Sequence, residues 1–162
     1  MTSYAKLAQE TSAADAARSL DLIEQRKKDE PLHTFFKGIR IQLGNEINKA
    51  NPELSNKGLL TGEAVRGIVY DGQIADTVVY LTFGNSRRCD VELDLSRSEV
   101  RAILAGEIHS SERGDPKILT FHLWDNGEAI PARVTASTGD GNPIGVDEIA
   151  ETIVSAMIRG RF

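Results

Sequence analysis

The middle of the chain carries the strongest constraint on the fold, because it consists of β-forming stretches joined by short turns. Residues 64–70 lead into Asp71-Gly72, a dipeptide typical of tight hairpins, and residues 74–83 form the return strand. Residues 87–95 then alternate apolar with charged side chains, as a strand with one buried face does. These patterns predict a three-stranded antiparallel meander.

A short helix is expected after the meander. Ser96 stands three residues before Glu99, a spacing typical of the capping box that opens a helix. Gly106 would end this helix. Its apolar side would consist of Val100, Ile103 and Leu104.

A second hairpin is expected from residues 117–124 and 128–135. The turn between them is Asp125-Asn126-Gly127, and Asn-Gly is a strong hairpin signal. Pro131 lacks an N–H group, so the last strand should lie at an edge of the sheet or be interrupted there. Such an edge would be open to β-augmentation or to self-pairing.

Helices are expected at both ends of the chain. Residues 3–28 form the first, with a thin apolar stripe, and Pro31 would stop it and open a second helix. The second helix follows from apolar residues spaced four, three, four and four apart, which are Leu32, Phe36, Ile39, Leu43 and Ile47. Residues 39–43 alone would also suit a short strand. A last helix begins near Pro143 and carries a wide apolar stripe.

Strands grouped between helices indicate an α+β fold, with an antiparallel sheet of about five strands packed by helices. We expect residues 1–30 to form an N-terminal helical extension and residues 31–162 to form a single α+β domain. From about residue 31 to residue 160, the order of elements resembles that of the type III secretion chaperones, a family of small acidic dimers. The resemblance implies an acidic homodimer.

The charge balance narrows the classes of partner. Lysine and arginine number 19 and aspartate and glutamate number 24, which gives a net charge of -5. An excess of negative charge disfavours binding to nucleic acids and to anionic membranes. The basic run Arg26-Lys27-Lys28 is followed directly by Asp29-Glu30, so it suits the solvated end of a helix better than a nucleic-acid patch.

The cysteine content points to a reducing compartment. Cys89 is the only cysteine, so an internal disulfide and a cysteine-based zinc site are excluded. The N-terminal residues contain no apolar core of a secretory signal, and no stretch of about 18 apolar residues occurs. We therefore expect a cytoplasmic protein that does not enter membranes.

The strand expected at residues 117–124 carries the most interesting polar face. Thr120, His122 and Trp124 share one side of it, and the opposite side is apolar. An indole beside an imidazole could form a ligand platform on which a ring stacks while the histidine binds or moves a proton. The simpler interpretation is that Trp124 seals a sheet face beneath a helix and that His122 is its neighbour.

Three carboxylates lie in a row on the strand at residues 87–95. Asp90, Glu92 and Asp94 share one face and could attract a positively charged partner. A divalent cation is a weaker hypothesis, because metal ligands normally converge from several elements and not from one straight row. The row also suits the solvated side of an antiparallel strand.

Other features give no reaction. The spacing of His33, His109 and His122 brings no three-histidine zinc site together. Residues 138–143 precede a helix but lack the lysine and glycine spacing of a phosphate loop. Cys89 alternates with buried positions, as a core residue does. We therefore expect no catalytic residues, no metal and no cofactor.

The sequence favours a non-catalytic module that binds a protein or peptide, in the manner of a chaperone or adaptor, and that forms a homodimer. The alternative is a small enzyme or a small-molecule-binding protein that uses a cleft lined by His122 and Trp124. The two classes differ in one structural respect. An enzyme requires titratable groups from separate segments to converge on a solvent-filled cavity.

Overall fold

The computed structural model describes residues 3–54, 58–70, 72–84, 87–105, 117–125, 134–138 and 140–160. Its elements, in chain order, are α1 (Tyr4–Leu54), β1 (Leu60–Tyr70), β2 (Gln73–Phe83), β3 (Arg87–Asp94), β4 (Glu99–Ala105), β5 (Lys117–Asp125), β6 (Val134–Ser137), β7 (Pro143–Ile144) and α2 (Val146–Arg159). The fold is therefore α+β, as the sequence predicts.

The strands form one antiparallel sheet in which each strand pairs with the next along the chain, from β1 to β7. The predicted central meander is confirmed as β1, β2 and β3. Gly72 in the first turn has a φ of 83°, which glycine adopts without strain. The expectation of about five strands is wrong, because the described chain contains seven: β4 lies where a helix was expected, and β7 lies where the last helix was expected to begin.

The helix expected after Ser96 is strand β4. The hydroxyl of Ser96 donates a hydrogen bond to Oδ1 of Asp94 at 2.7 Å, and the backbone N–H of Arg97 donates to the same oxygen at 3.1 Å. Ser98 has a φ of 51° and completes the turn between β3 and β4. The polar residues therefore close a turn instead of capping a helix. The buried side chains of β4 alternate along the strand and are Val100, Ala102 and Leu104.

Helix α1 is continuous from Tyr4 to Leu54, so the predicted break at Pro31 is wrong. Proline removes one intrahelical hydrogen bond, to the carbonyl of Lys27, but the helix continues through Pro31 and is packed on the sheet after it. The predicted apolar stripe on the second part of the helix is confirmed, and its buried residues are Phe36, Ile39, Leu43, Ile47 and Leu54. The strand alternative for residues 39–43 does not occur.

The two parts of α1 have different surroundings. We call residues 4–28 the projecting half, because only Ser19 and Leu22 in it are even partly buried. Its 25 residues correspond to a rod about 38 Å long. We call residues 29–54 the packed half, because its apolar side chains belong to the core of the protein.

Helix α2 begins at Val146 and not near Pro143. Pro143 and Ile144 form β7, which pairs with the end of β6 inside the segment expected to be a loop. The wide apolar stripe is confirmed, and the helix ends at Gly160 in the left-handed conformation. The guanidinium of Arg87 donates a hydrogen bond to the carbonyl of Met157 at 2.9 Å, which ties this end of α2 to β3.

Both helices pack on one face of the sheet and enclose the core with it. Phe121 and Leu123 of β5 belong to this core, whereas His122 and Trp124, which alternate with them, are exposed. We call the opposite face of the sheet, which carries His122 and Trp124, the outer face. The sheet ends at β1 on one side and at β7 on the other.

The sequence places an edge of the sheet at the last strand of the second hairpin. In the structure β6 is not an edge strand, because the short strand β7 pairs with it. Pro131 and the Asn126-Gly127 turn lie outside the described residues. The order of elements also departs from the one on which the resemblance to type III secretion chaperones rests, because β4 follows β3 without a helix between them.

Candidate functional site

The structure places all six predicted site residues on the outer face. Asp90, Glu92 and Asp94 lie on β3, and Thr120, His122 and Trp124 lie on β5, with β4 between the two strands. Register brings them into common rows. Glu92 pairs with Arg101, which pairs with Thr120, and Asp94 pairs with Glu99, which pairs with His122.

The acidic row is largely neutralised by arginines. Arg88 contacts Asp90 at 2.9 Å, and this hydrogen bond raises the pKa of the guanidinium. Arg101 lies 3.7 Å from Glu92 and 3.5 Å from Asp94. These contacts leave little uncompensated charge to attract a basic partner.

Asp94 also has a structural role. The hydrogen bonds from the Ser96 hydroxyl and the Arg97 N–H lower the pKa of its carboxyl. The carboxylate therefore stays ionised as an acceptor in the β3–β4 turn.

His122 and Trp124 are accessible on the outer face. Nδ1 of His122 lies 3.5 Å from a carboxylate oxygen of Glu99, and the Trp124 side chain is 42 % exposed. The interpretation in which Trp124 lies beneath a helix does not hold for the described helices, which pack on the other face. Ligand binding by this pair stays a prediction.

The remaining histidine and cysteine candidates stay apart. Cys89 is fully buried, and burial, with a smaller contribution from Asp90, raises its pKa to about 12, so it is not a nucleophile at neutral pH. His33 lies on α1 and His122 on β5, while His109 is outside the described residues. Within the described ranges no group of three His, Cys, Asp or Glu side chains could hold a metal ion.

A groove runs between the packed half of α1 and strand β1. Its volume is about 550 Å³. We call it the edge groove, and it is lined by Arg40, Leu43, Gly44, Ile47, Gly62, Glu63, Ala64, Val79 and Leu81. Gly44 keeps one wall of the groove open, because no atom lies within 4 Å of the position a Cβ would take there.

Strand β1 borders the groove and is exposed along most of its length. Nine of its eleven residues are exposed, and among the described strands it pairs with β2 alone. At its start, the side-chain amide of Asn51 accepts from the N–H of Leu60 at 2.9 Å and donates to the Leu60 carbonyl at 3.1 Å. Asn51 therefore occupies the outward-facing backbone groups at this position, as a neighbouring strand would.

A second cavity of about 370 Å³ lies near the tip of the β1–β2 hairpin. We call it the tip cavity, and it is lined by Arg26, Glu30, His33, Thr34, Phe36, Lys37, Arg40, Ile74, Ala75 and Asp76. Arg40 borders both hollows and forms a salt bridge with Asp76 of β2. The helical residues of both recur at spacings of three and four, so the two hollows follow one side of α1.

Three titratable groups from two segments form a hydrogen-bonded chain beside the tip cavity. The hydroxyl of Tyr70 donates to Oδ2 of Asp29 at 2.7 Å. Its oxygen therefore accepts from Nε2 of His33 at 2.9 Å, with the two rings edge to face. This arrangement leaves the buried Nδ1 of His33 without a partner among the described residues.

These hydrogen-bonded side chains include a histidine and a tyrosine whose protonation states are well defined at neutral pH. Burial lowers the pKa of His33, and the opposing effect of Asp29 is smaller, so the imidazole is neutral. Burial raises the pKa of Tyr70, and its hydrogen bond to Asp29 adds to the shift, so the phenol keeps its proton. Titratable groups from two segments therefore meet at this cavity, as an enzyme requires, but the neutral imidazole and the protonated phenol are held as hydrogen-bonding partners between α1 and the hairpin, which supports a structural role for them.

The comparisons with known proteins place the chain in no family. No family model matches the sequence. No curated protein and no solved structure matches it either. Among the described helices, neither is both long enough and apolar enough to cross a membrane.

Sequence reasoning missed the edge groove and the tip cavity. Their residues are far apart in sequence, as in the salt bridge between Arg40 and Asp76, 36 positions apart along the chain. Local patterns carried only a faint signal. Asp29 and His33 are one helical turn apart, and Tyr70 immediately precedes the Asp71-Gly72 turn.

Proposed function

We propose that the protein is a non-catalytic binding module that accepts an extended segment of a partner protein along strand β1. The exposed edge of β1 beside the edge groove is the observation that supports this function. An added strand would gain backbone hydrogen bonds from β1, and its alternate side chains would enter the edge groove.

The lining of the groove combines apolar core residues with two charged residues, Arg40 and Glu63. Leu43 and Ile47 of α1, with Val79 and Leu81 of β2, provide its floor. The same hairpin also exposes several large apolar side chains to solvent, which are Val65, Ile68, Val69 and Ile74. Exposed apolar side chains along an unpaired edge mark a site of interaction.

The regular part of the edge is short, which favours a peptide segment as the occupant over a second copy of the sheet. The register of β1 shifts between Ala64 and Arg66 and again between Arg66 and Gly67. Such bulges interrupt the edge and increase its twist. Because Asn51 already binds Leu60, the free regular stretch is residues 61–64. This length suits a segment of a few residues.

We assign self-association to the projecting half of α1. Helices in proteins gain most of their stability by packing an apolar face, and the projecting half packs almost no side chain against the rest of the described chain. Tyr4, Leu7, Leu20 and Ile23 are exposed on it, and pairing with the same helix of a second copy would cover part of this surface. The proposal is thus an acidic homodimer that binds a protein segment in the cytoplasm, where its single buried Cys89 stays reduced.

Selection of peptides from a random displayed library against the whole chain tests the docking site. Gly44→Trp places an indole in the edge groove from a position where a Cβ has no atom within 4 Å, and Gly44→Ala, which adds only that Cβ, is the matched control. Selected peptides should bind the wild type and Gly44→Ala equally and bind Gly44→Trp at least about tenfold more weakly, which corresponds to 1.4 kcal/mol. Equal binding to Gly44→Trp would contradict the site.

A second pair of variants tests the backbone pairing itself. Ala64 is exposed and lies four residues after Leu60 along the regular part of β1. Its N–H therefore points away from β2, as that of Leu60 does. Ala64→Pro removes this donor, whereas Ala64→Val keeps it. Loss of peptide binding in the proline variant alone supports strand addition. Equal binding by both variants, measured once circular dichroism shows both folded, contradicts it.

A further inference from the structure

We propose that the tip cavity is a binding site for a small monocarboxylate with an apolar body. The proposal rests on the charges and shape of this cavity and not on peptide binding at β1. Its volume of about 370 Å³ lies at the lower end of the range of small-molecule sites.

The charges around the cavity leave one positive charge in excess. Arg26, Lys37 and Arg40 line it together with two acids, Glu30 and Asp76. Arg40 and Asp76 bind each other, which leaves Arg26 and Lys37 against the single carboxylate of Glu30. A ligand with one negative charge balances this set, whereas a dianionic phosphate would face repulsion from Glu30 and Asp76.

Among the lining residues alone, the positive charges exceed the negative charges by one, and the further carboxylate of Asp29 lies outside the lining, beside His33. His33 lines the cavity but is neutral, because burial lowers its pKa. Asp29 is not part of the lining, and its carboxylate accepts hydrogen bonds from Tyr70 at 2.7 Å and from Gln25 at 3.1 Å. The cationic groups that remain for a ligand are therefore those of Arg26 and Lys37.

The uncharged lining determines the rest of the ligand. Phe36 is buried at the base, and Ile74 and Ala75 form the side contributed by β2. Ile74 and Ala75 offer contact to an aliphatic or aromatic body, and the volume admits a body of about the size of a phenyl ring. A benzoate or a medium-chain fatty acid has this combination of one carboxylate and an apolar body.

Titration of the full chain with benzoate and with hexanoate, followed by amide chemical shifts, tests the proposal. Benzamide is the uncharged control, and inorganic phosphate is the control for a general anion. Saturable shifts centred on residues 33–37 and 74–76 are expected. The affinity for benzoate should exceed that for benzamide by about tenfold or more, as expected from a charge-assisted hydrogen bond.

Matched variants identify the cations involved. Lys37→Gln and Arg26→Gln should each weaken benzoate binding by about tenfold. Lys27→Gln is the control, because Lys27 is an exposed cation of the same helix that does not line the cavity. The proposal is overturned if neither acid gives saturable shifts, if phosphate or benzamide binds as well as benzoate, or if Lys27→Gln weakens binding as much as Lys37→Gln.

Discussion

The projecting half and the packed half of α1 are parts of one helix, yet they differ in nearly every contact. The packed half places five side chains in the core, whereas the projecting half places none there. Helix formation is common to both, so the difference lies in the apolar stripe, which is continuous after Pro31 and sparse before it. Local propensity therefore determines that the segment is helical, and apolar spacing determines what it packs against.

The sharpest test of this comparison is the removal of one large apolar side chain from each half. Phe36→Ala should lower the free energy of unfolding by about 3–5 kcal/mol, because Phe36 is fully buried and the change leaves a cavity. Leu20→Ala should lower it by less than about 0.5 kcal/mol, because Leu20 is 62 % exposed. Denaturant unfolding at low protein concentration measures both. Similar losses would mean that the projecting half is packed as well.

A smaller effect is expected at the hydrogen-bonded chain that joins α1 to the hairpin. Tyr70→Phe removes the donor to Asp29 and the acceptor for His33, and it should cost about 1–2 kcal/mol of unfolding free energy. Tyr4→Phe in the projecting half removes the same hydroxyl from an exposed ring and should cost nothing measurable. If Tyr70→Phe were as stable as the wild type, the hydrogen bonds of Tyr70 would not be what holds α1 against the hairpin.

The pH dependence of stability should distinguish the halves further. The folded pKa of His33 lies below the ordinary histidine value of 6.5, because burial disfavours the charged ring, so the unfolded chain binds more protons near that pH. The contribution of His33 is therefore fully present above about pH 6.5 and is lost as the pH falls toward its folded pKa. His33→Gln should flatten the fall in unfolding free energy between pH 7 and pH 5. An unchanged slope would contradict the assignment.

The smallest effect on stability is expected from deletion of residues 1–28. The remaining chain keeps the core residues of α1 and should unfold cooperatively with a free energy within about 1 kcal/mol of the full chain. Light scattering at tens of micromolar should show a dimer for the full chain and weaker association after deletion. Loss of folding would place the projecting half in the core, and a monomeric full chain would refute the homodimer.

Much of the sheet could be predicted from the sequence, because alternation reports one buried face directly. The central meander and β5 were found in this way. The sequence does not predict β4 for two reasons. Ala102 is too small to show that it alternates with Val100 and Leu104 as a buried residue, and Ser96 and Glu99 have the spacing of a capping box at the start of a helix. The predicted site residues do share one face, but their register depends on pairings through β4. The tip cavity could not be predicted, because tertiary contacts bring its residues together from α1 and β2 and no local sequence pattern reports such contacts.

The amide of Asn51 has a consequence for any strand that adds to β1. It holds both outward backbone groups of Leu60, so an arriving chain finds its first free hydrogen-bonding partner at Gly62. Gly62 cannot gain a side chain without collision, because a Cβ there would lie 2.8 Å from Leu81. The docked segment would therefore begin its backbone pairing at Gly62, and its register with β1 could not shift toward Leu60.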